Sequence, residues 1–286
     1  KKFLLNEEPG LGNISGKPTL WIHSEYELNS KRWRNFGSRS SKNLNKKYVE
    51  MCVESVVKYC GNSFNICLIN DDSFSKLIPG WQVDMDLVSD PIKKHIRILA
   101  LMKILYYYGG MCLPNSTLIM KDIRPLYNEL LRVRCMFAGE MVSRNSTSTM
   151  TRFYTSNKMM GCKKKSELMN GLIKRVELLL SNDNTEQMDF EGEVDRILYK
   201  MHDDNTISLI EGKAFGNKTK DDKAVLVDDL LGNSYINFDR NMFGIYLPKK
   251  EIEKRTKFQW FGRLNRQQVL NANTIVTKYF LISAGQ

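Results

Sequence analysis

The sequence predicts an α/β protein with a mixed, mostly parallel central sheet flanked by helices and a C-terminal elaboration. Three observations predict it. A strand–helix–strand unit is legible over residues 19–69. A periodic helix opens at Asp90-Pro91 and stops at Gly109-Gly110, with a short apolar strand directly after it. The chain has 286 residues, 42% apolar and 26% charged, which is enough for a large core and excludes a disordered or collagen-like chain. A strand–helix–strand unit implies a parallel pair in an open sheet, and ligands of such sheets bind at the carboxyl ends of the strands.

Residues 1–18 carry Pro9-Gly10, Gly12 and Gly16 and read as an extended lead-in; residues 19–286 read as a single domain. Thr19 to His23 is a buried strand bounded by Pro18. A polar, basic loop follows, with Arg32, Arg34 and Arg39. Asn45 is placed to cap a helix to Cys60, whose stripe is Val49, Cys52, Val53, Val56 and Val57; Gly61-Asn62 ends it. Asn65 to Ile69 is the second strand, with Asp71 and Asp72 just past its end.

Asp90 is a good N-cap and Pro91 suits the first helical position. Ile92, Ile96, Leu99, Met102, Lys103, Leu105 and Tyr106 make the stripe of this helix. Short strands are expected at Met111–Leu113 and Thr117–Met120, a turn and helix over Asp122–Leu131, and a strand at Val133–Ala138. Trp21, Ile66, Leu68, Leu113 and Phe137 should share one sheet. Further on, Glu167–Leu180 and Val194–Met201 read as helices. Ile207–Ile210, Ala224–Val227, Tyr235–Phe238 and Phe243–Leu247 read as short strands, and Thr274–Ile282 fits helix or strand equally.

Lys and Arg number 43 against 32 acids, a net charge of +11, which favours polyanionic partners such as nucleic acid, acidic headgroups or nucleotide phosphates. The basic runs are short (Lys163-Lys164-Lys165, Lys249-Lys250) and no nucleic-acid module accompanies them, so nucleic acid is not the expected partner. No apolar run reaches the roughly 20 residues of a membrane span. The chain opens Lys1-Lys2 rather than with Met, which suggests a trimmed chain with a signal or anchor upstream. Six cysteines without a Cys-x-x-Cys and only three histidines argue against zinc; buried free thiols in a reducing compartment are expected. Sequons at Asn13, Asn115, Asn145 and Asn217 read as chance matches in an Asn- and Ser-rich chain.

Arg97 to Leu118 carries the most specific pattern: a helix with an early Asp90 and Arg97, then Leu105-Tyr-Tyr-Tyr-Gly109-Gly110, then a strand. It resembles the donor-binding core of retaining glycosyltransferases of the initiating-mannosyltransferase and capsular-polysaccharide group, where an Asp-x-Asp follows. Here Pro114-Asn115-Ser116 stands in its place. In that group the two carboxylates hold a divalent cation against the donor diphosphate. Proline has no ligand atom, and Asn and Ser are weak neutral ligands, so no metal site and no cofactor are expected; Mn²⁺ or Mg²⁺ enters only if the chain is an active transferase. The segments Trp21-Ile-His23, Ser38-Arg39-Ser40, Cys67 to Pro79, Gly109 to Ser116 and Phe258-Gln-Trp-Phe261 resemble a glycosyltransferase-like family of large nucleocytoplasmic DNA viruses, over roughly residues 19–280.

That resemblance implies a glycosyltransferase A-type fold and a viral origin. The donor-site candidates it suggests are Trp21, His23, Asp71, Asp72, Asp90, Arg97, Gly109, Gly110, Asn115 and Ser116. Each has a plainer alternative. His23 is a hydrogen-bonded histidine or a catalytic one. Asp71 and Asp72 are solvated acids capping a short helix, or ligands. Arg97 grips a diphosphate or pairs with Asp90 or another acid. Asp189, Glu191, Glu193 and Asp195 supply a catalytic carboxylate or merely open a helix. The functional expectation is a transferase fold that has lost metal-dependent sugar transfer and acts as a structural or minor capsid component. Its place would be the virion, and the host cytoplasm during infection. Its partners would be other capsid proteins and the inner membrane surface. The alternative is an active hexosyltransferase using a nucleotide sugar, with Arg97 or Lys103 replacing the metal.

Overall fold

The computed structural model describes residues 16–25, 27–28, 40–41, 46–142, 153–182 and 192–285. In chain order the strands are β1 (Thr19–His23), β2 (Glu27–Leu28), β3 (Ser40–Ser41), β4 (Asn65–Ile69), β5 (Gly110–Cys112), β6 (Thr117–Ile119), β7 (Met136–Val142), β8 (Phe153–Cys162), β9 (Ser208–Ile210) and β10 (Gly244–Tyr246). The first six helices are α1 (Lys47–Cys60), α2 (Phe74–Leu77), α3 (Ile92–Tyr108), α4 (Arg124–Val133), α5 (Glu167–Ser181) and α6 (Glu193–Asp203). They are followed by α7 (Val227–Leu230), α8 (Lys249–Lys254), α9 (Gln259–Gly262), α10 (Arg266–Asn271) and α11 (Ile275–Ala284). The span read as one domain groups into two compact units. The first holds residues 1–22, 64–113 and 124–211; the second holds 23–63, 114–123 and 212–286.

The first unit is built on a six-stranded sheet in the order β4-β1-β5-β8-β7-β9. β1 runs parallel to β5 and β7 parallel to β9, while β8 is antiparallel to both β5 and β7. β1, β5, β7 and β9 therefore share one direction and β8 alone of these five opposes them, which makes the sheet mixed and mostly parallel as expected. Trp21, Ile66, Leu68 and Phe137 lie in its strands, and Leu113 extends β5 by donating its N–H to the Trp21 carbonyl at 2.9 Å. The core joins Trp21, Cys67, Ile69, Cys112, Met136 and Met160 of the sheet to Leu99, Met102 and Leu105 of α3 and to Leu172 and Val176 of α5. Of the stripe read from sequence, Leu99, Met102 and Leu105 are buried here and Ile96 and Tyr106 pack against them, whereas Ile92 is exposed.

The second unit has a separate core. Tyr48, Val49 and Cys52 of α1 meet Leu118 of β6, Ile245 of β10, Phe261 of α9, Val269 of α10 and Val276 and Phe280 of α11. β6 and β10 pair antiparallel, with Thr117 opposite Tyr246. This is the C-terminal elaboration, and Thr117–Met120 belongs to it rather than to the central sheet.

Several local readings are corrected. Asp90 does not cap α3: the helix begins at Ile92, Pro91 holds the cap position without a side-chain cap, and the Ser89 carbonyl closes the first turn onto the Lys93 N–H at 2.9 Å. The ten-residue strand β8 carried no sequence signal, because Thr155, Ser156, Asn157 and Lys158 interrupt any apolar run. Residues 224–227 and 235–238 are not strands: Ala224 makes one isolated bridge with Lys218, and Val227 opens a short helix. Residues 274–282 resolve as helix, with the Thr274 hydroxyl accepting from the Thr277 N–H at 3.2 Å. Of the six free cysteines, Cys135 is exposed while the other five are buried. Burial pushes the Cys60 and Cys162 thiols up to about 12 and Cys67 to about 11, away from reactive thiolates. Two sequon asparagines, Asn115 and Asn217, are buried at 8% and 7% exposure, closed to a glycan. Asn13, Asn45 and Asn145 lie outside the described residues.

Candidate functional site

In the first unit, Trp21 is buried, its indole N–H donates to the Gly109 carbonyl at 3.0 Å, and its ring tilts against Tyr108 at 5.8 Å. It ties β1 to the end of α3, and no face of it is offered to a ligand. Gly109 and Gly110 have φ of +73° and +98°. A Cβ on Gly110 would stand 2.1 Å from the Thr19 carbonyl oxygen, so the glycine is required by the close approach of β5 to β1.

Asp71 and Arg97 come together. Asn70 caps the turn Asp71–Ser73 after β4, and this aims Asp71 at α3. The Arg97 Nε donates to both carboxylate oxygens at 3.0 Å and its Nη2 to Oδ2 at 2.7 Å, with the side chains 13% and 15% exposed. Arg97 thus pairs with an acid of the next element and not with Asp90, which is exposed, as is Asp72. Lys103, the other cation considered for a diphosphate, faces Glu177 of α5 at 2.7 Å.

Removing Arg97 leaves Asp71 charged in a place with little water. We expect Arg97→Met to lower unfolding free energy by about 2–3 kcal/mol, with the partial exposure keeping the loss below that of a fully buried pair. Denaturant melts of Arg97→Met, Asp71→Asn and the double variant check it. A coupling energy near zero would show that the pair adds nothing to stability in solution.

Asp195 of α6 holds the edge of β8. Its Oδ1 accepts from the Asn157 N–H at 2.8 Å and from Asn157 Nδ2 at 2.6 Å, and the Thr155 hydroxyl donates to the Asp195 carbonyl at 3.1 Å. Loss of water around the carboxylate pushes its pKa up, against the lowering effect of the Asn157 donors. A raised folded pKa means that the folded state binds more protons than the unfolded one. Its contribution is then present in full below the unfolded carboxylate range and declines as pH rises through the folded pKa. We expect Asp195→Asn to flatten that decline and to be neutral or stabilising at pH 7. Asp195→Ala strands the Asn157 N–H and should cost about 1–3 kcal/mol. Thermal melts across mildly acidic and neutral pH separate the two. Glu193 pairs with Arg196, and Asp189 and Glu191 lie outside the described residues.

The second unit contains His23, Asn115 and Ser116. His23 ends β1 and is partly exposed. Pro114-Asn115-Ser116 forms a tight turn in which the Thr117 N–H donates to the Pro114 carbonyl at 3.1 Å. Ser116 is 2% exposed; its hydroxyl donates to the Leu247 carbonyl at 2.6 Å, and its own carbonyl accepts from the Leu247 N–H at 2.9 Å. The turn is thus fixed to the residue after β10, with neither a carboxylate nor a free hydroxyl.

Sequence reasoning missed other polar groups of the second unit. Lys46 pairs with Glu253, Lys249 lies 3.9 Å from Glu253, and Lys250 lies 3.6 Å from Glu25. Loss of water pushes the Lys249 pKa down, with Glu253 and Glu25 opposing. The Ser24, Tyr48 and Thr117 hydroxyls are buried with no hydrogen-bond partner among the described residues. Lys249-Lys250 was visible as a basic run, but Lys46 and Tyr48 carried no signal, since their role depends on how α1 meets α8. Among the described residues no three His, Cys, Asp or Glu side chains converge as a metal-ligand group.

No protein-family model matches the chain, and no curated protein is similar to it in sequence. Solved structures with a similar chain path are glycosyltransferases. The glycosyltransferase GlyE of Streptococcus pneumoniae TIGR4 matches at 10% identity and a TM-score of 0.43, over 92% of this chain and 64% of that one. Its apo form matches at 11% identity and 0.39, over 69% of this chain and 46% of that one. The apo form of mouse xyloside xylosyltransferase 1 matches at 9% identity and 0.41, over 70% of this chain and 87% of that one. The chain thus spans less than two thirds of either GlyE structure. At these scores the likeness does not by itself fix the fold family.

Proposed function

We propose that this chain is a glycosyltransferase-like protein that does not carry out metal-dependent sugar transfer and serves as a structural or minor capsid component of a large DNA virus particle. The observation that carries the first half is the turn Pro114-Asn115-Ser116. A divalent cation beside a diphosphate needs hard, charged oxygen ligands. Proline offers none, and the Ser116 hydroxyl already donates to the Leu247 carbonyl. Arg97 and Lys103 face Asp71 and Glu177, which leaves them poorly suited to replace the metal. The second half rests on the resemblance of Trp21 to His23, Cys67 to Pro79 and Gly109 to Ser116 to the viral family, and on the net charge of +11, which suits an anionic inner membrane surface or acidic capsid partners.

The test has two parts. Release of nucleoside diphosphate from uridine and guanosine diphosphate hexoses should stay at the blank with Mn²⁺ or Mg²⁺; metal-stimulated turnover overturns the proposal. Mass spectrometry of purified virions should find the chain at many copies per particle, and its absence removes the structural role.

One observation favours a second reading, sugar transfer without a metal. The hydroxyls of Ser24, Tyr48 and Thr117, buried with no hydrogen-bond partner among the described residues, give the second unit donors of the kind that hold oxyanions. Turnover of a nucleotide sugar unaffected by a chelator would select it.

A further inference from the structure

At the opposite end of β6 from the 114–116 turn, the second unit contains a cavity of about 370 Å³ that none of the readings above uses. That volume lies within the range of small-molecule sites. Lys121, Tyr235, Phe238, Asp239, Arg240 and Tyr279 line it, and apolar side chains complete the wall.

Three features give the cavity a chemical character. It has two cations. Arg240 makes no hydrogen bond or ion pair with any described residue, and Lys121 makes no ion pair but lies over the Phe243 ring at 4.8 Å. In a wall with one carboxylate this leaves a surplus positive charge. It also has an aromatic face. Tyr235 is 82% exposed, an uncommon place for so large a ring, whereas Phe238 and Tyr279 are set edge to face at 5.4 Å. Tyr235 and Tyr279 both line the cavity, and burial, with Tyr235 nearby, pushes the Tyr279 phenol up. Finally, it has acceptors. The Asp239 carboxylate takes the Asn241 N–H on one oxygen at 2.6 Å, and a carboxylate has lone pairs for further donors.

We infer that this cavity is a binding site for an acidic sugar, a pyranose bearing a carboxylate, either free or as a residue of a glycan. Arg240 and Lys121 take the carboxylate, Arg240 through its planar two-donor edge. Tyr235 covers the C–H face of the ring. Asp239 and the two phenols take the sugar hydroxyls. A phosphate dianion suits the cations but has no C–H face for Tyr235 and no ring hydroxyls for Asp239 and the phenols, and a neutral sugar leaves the cations without a counter-charge. The site is independent of donor binding and of the fate of the 114–116 turn.

The test titrates the full chain with glucuronate, glucose and inorganic phosphate, followed by saturation-transfer NMR and calorimetry. Glucuronate should bind saturably and at least about tenfold more tightly than glucose. Arg240→Gln should bring the two sugars to similar affinity, Arg240→Lys should restore part of the preference, and Tyr235→Ala should weaken both sugars together. Both side chains are exposed, so melts of these variants should match the parent. Equal binding of glucose and glucuronate, an unchanged preference in Arg240→Gln, or phosphate binding as tightly as glucuronate each overturns the inference.

Discussion

Gly110→Ala should unfold the first unit or leave it barely stable. Two costs add at this position. The backbone φ of +98° is one that side chains with a Cβ rarely adopt, worth about 1–3 kcal/mol. The new methyl would also stand 2.1 Å from the Thr19 carbonyl oxygen, and that oxygen belongs to backbone at the start of the neighbouring parallel strand. β1 or β5 must shift to relieve it, and a forced shift in a packed core costs about 1–3 kcal/mol more. A total near 4 kcal/mol is a large part of the 5–15 kcal/mol that holds a typical domain together. Gly171→Ala is the matched control: it lies inside α5, a Cβ there meets nothing within 4 Å, and it should gain about 0.5–1 kcal/mol. Denaturant melts of both variants decide the matter. A Gly110→Ala protein as stable as the parent would mean that β5 and β1 do not approach as described.

In the sequence, Gly109 and Gly110 mark the stop of a helix and stand among the donor-site candidates. In the fold their demand comes from strand contact, which no local pattern reveals. The helices and first strands were legible because their signal is local: the stripe of α3 is written in Ile96, Leu99, Met102 and Leu105, and each packs inward. β8 was illegible because Thr155, Ser156 and Asn157 are polar for reasons that lie far away, including the Asp195 carboxylate that takes two donors from Asn157. Arg97 shows the same limit at the candidate site. Its residue type announced an anion, but only the capped turn after β4 determines that Asp71 is the anion it meets. Lys46 carries no local signal, because α8, which holds its partner Glu253, lies some two hundred residues on, at Lys249–Lys254.

Ser116→Asp is the second large effect. Carboxylates at 114 and 116 would supply the ligand types of an Asp-x-Asp metal site, but the geometry of the turn does not receive them. Ser116 is 2% exposed and its hydroxyl points at the Leu247 carbonyl, an acceptor. A carboxylate there would be buried, would lose a hydrogen bond and would face another oxygen lone pair, a burden of several kcal/mol for an unpaired ion. We expect a loss of about 3–5 kcal/mol at pH 7. Burial raises the pKa of such a group, so the folded state binds the extra proton. The protonated acid can donate to Leu247 as serine does, so stability should recover as pH falls toward the ordinary carboxylate range and decline again as pH rises through the raised folded value. Ser116→Ala, which only deletes the bond, should cost about 1 kcal/mol with no such pH dependence. Melts at acid and neutral pH, with and without Mn²⁺, distinguish the cases. If Ser116→Asp, alone or with Pro114→Asp, keeps full stability at pH 7 and gains Mn²⁺-dependent binding of a nucleoside diphosphate, the turn has room for a metal after all. If the substitution behaves as expected, the two hydrogen bonds that tie Ser116 to Leu247 leave no room for a carboxylate ligand at this turn.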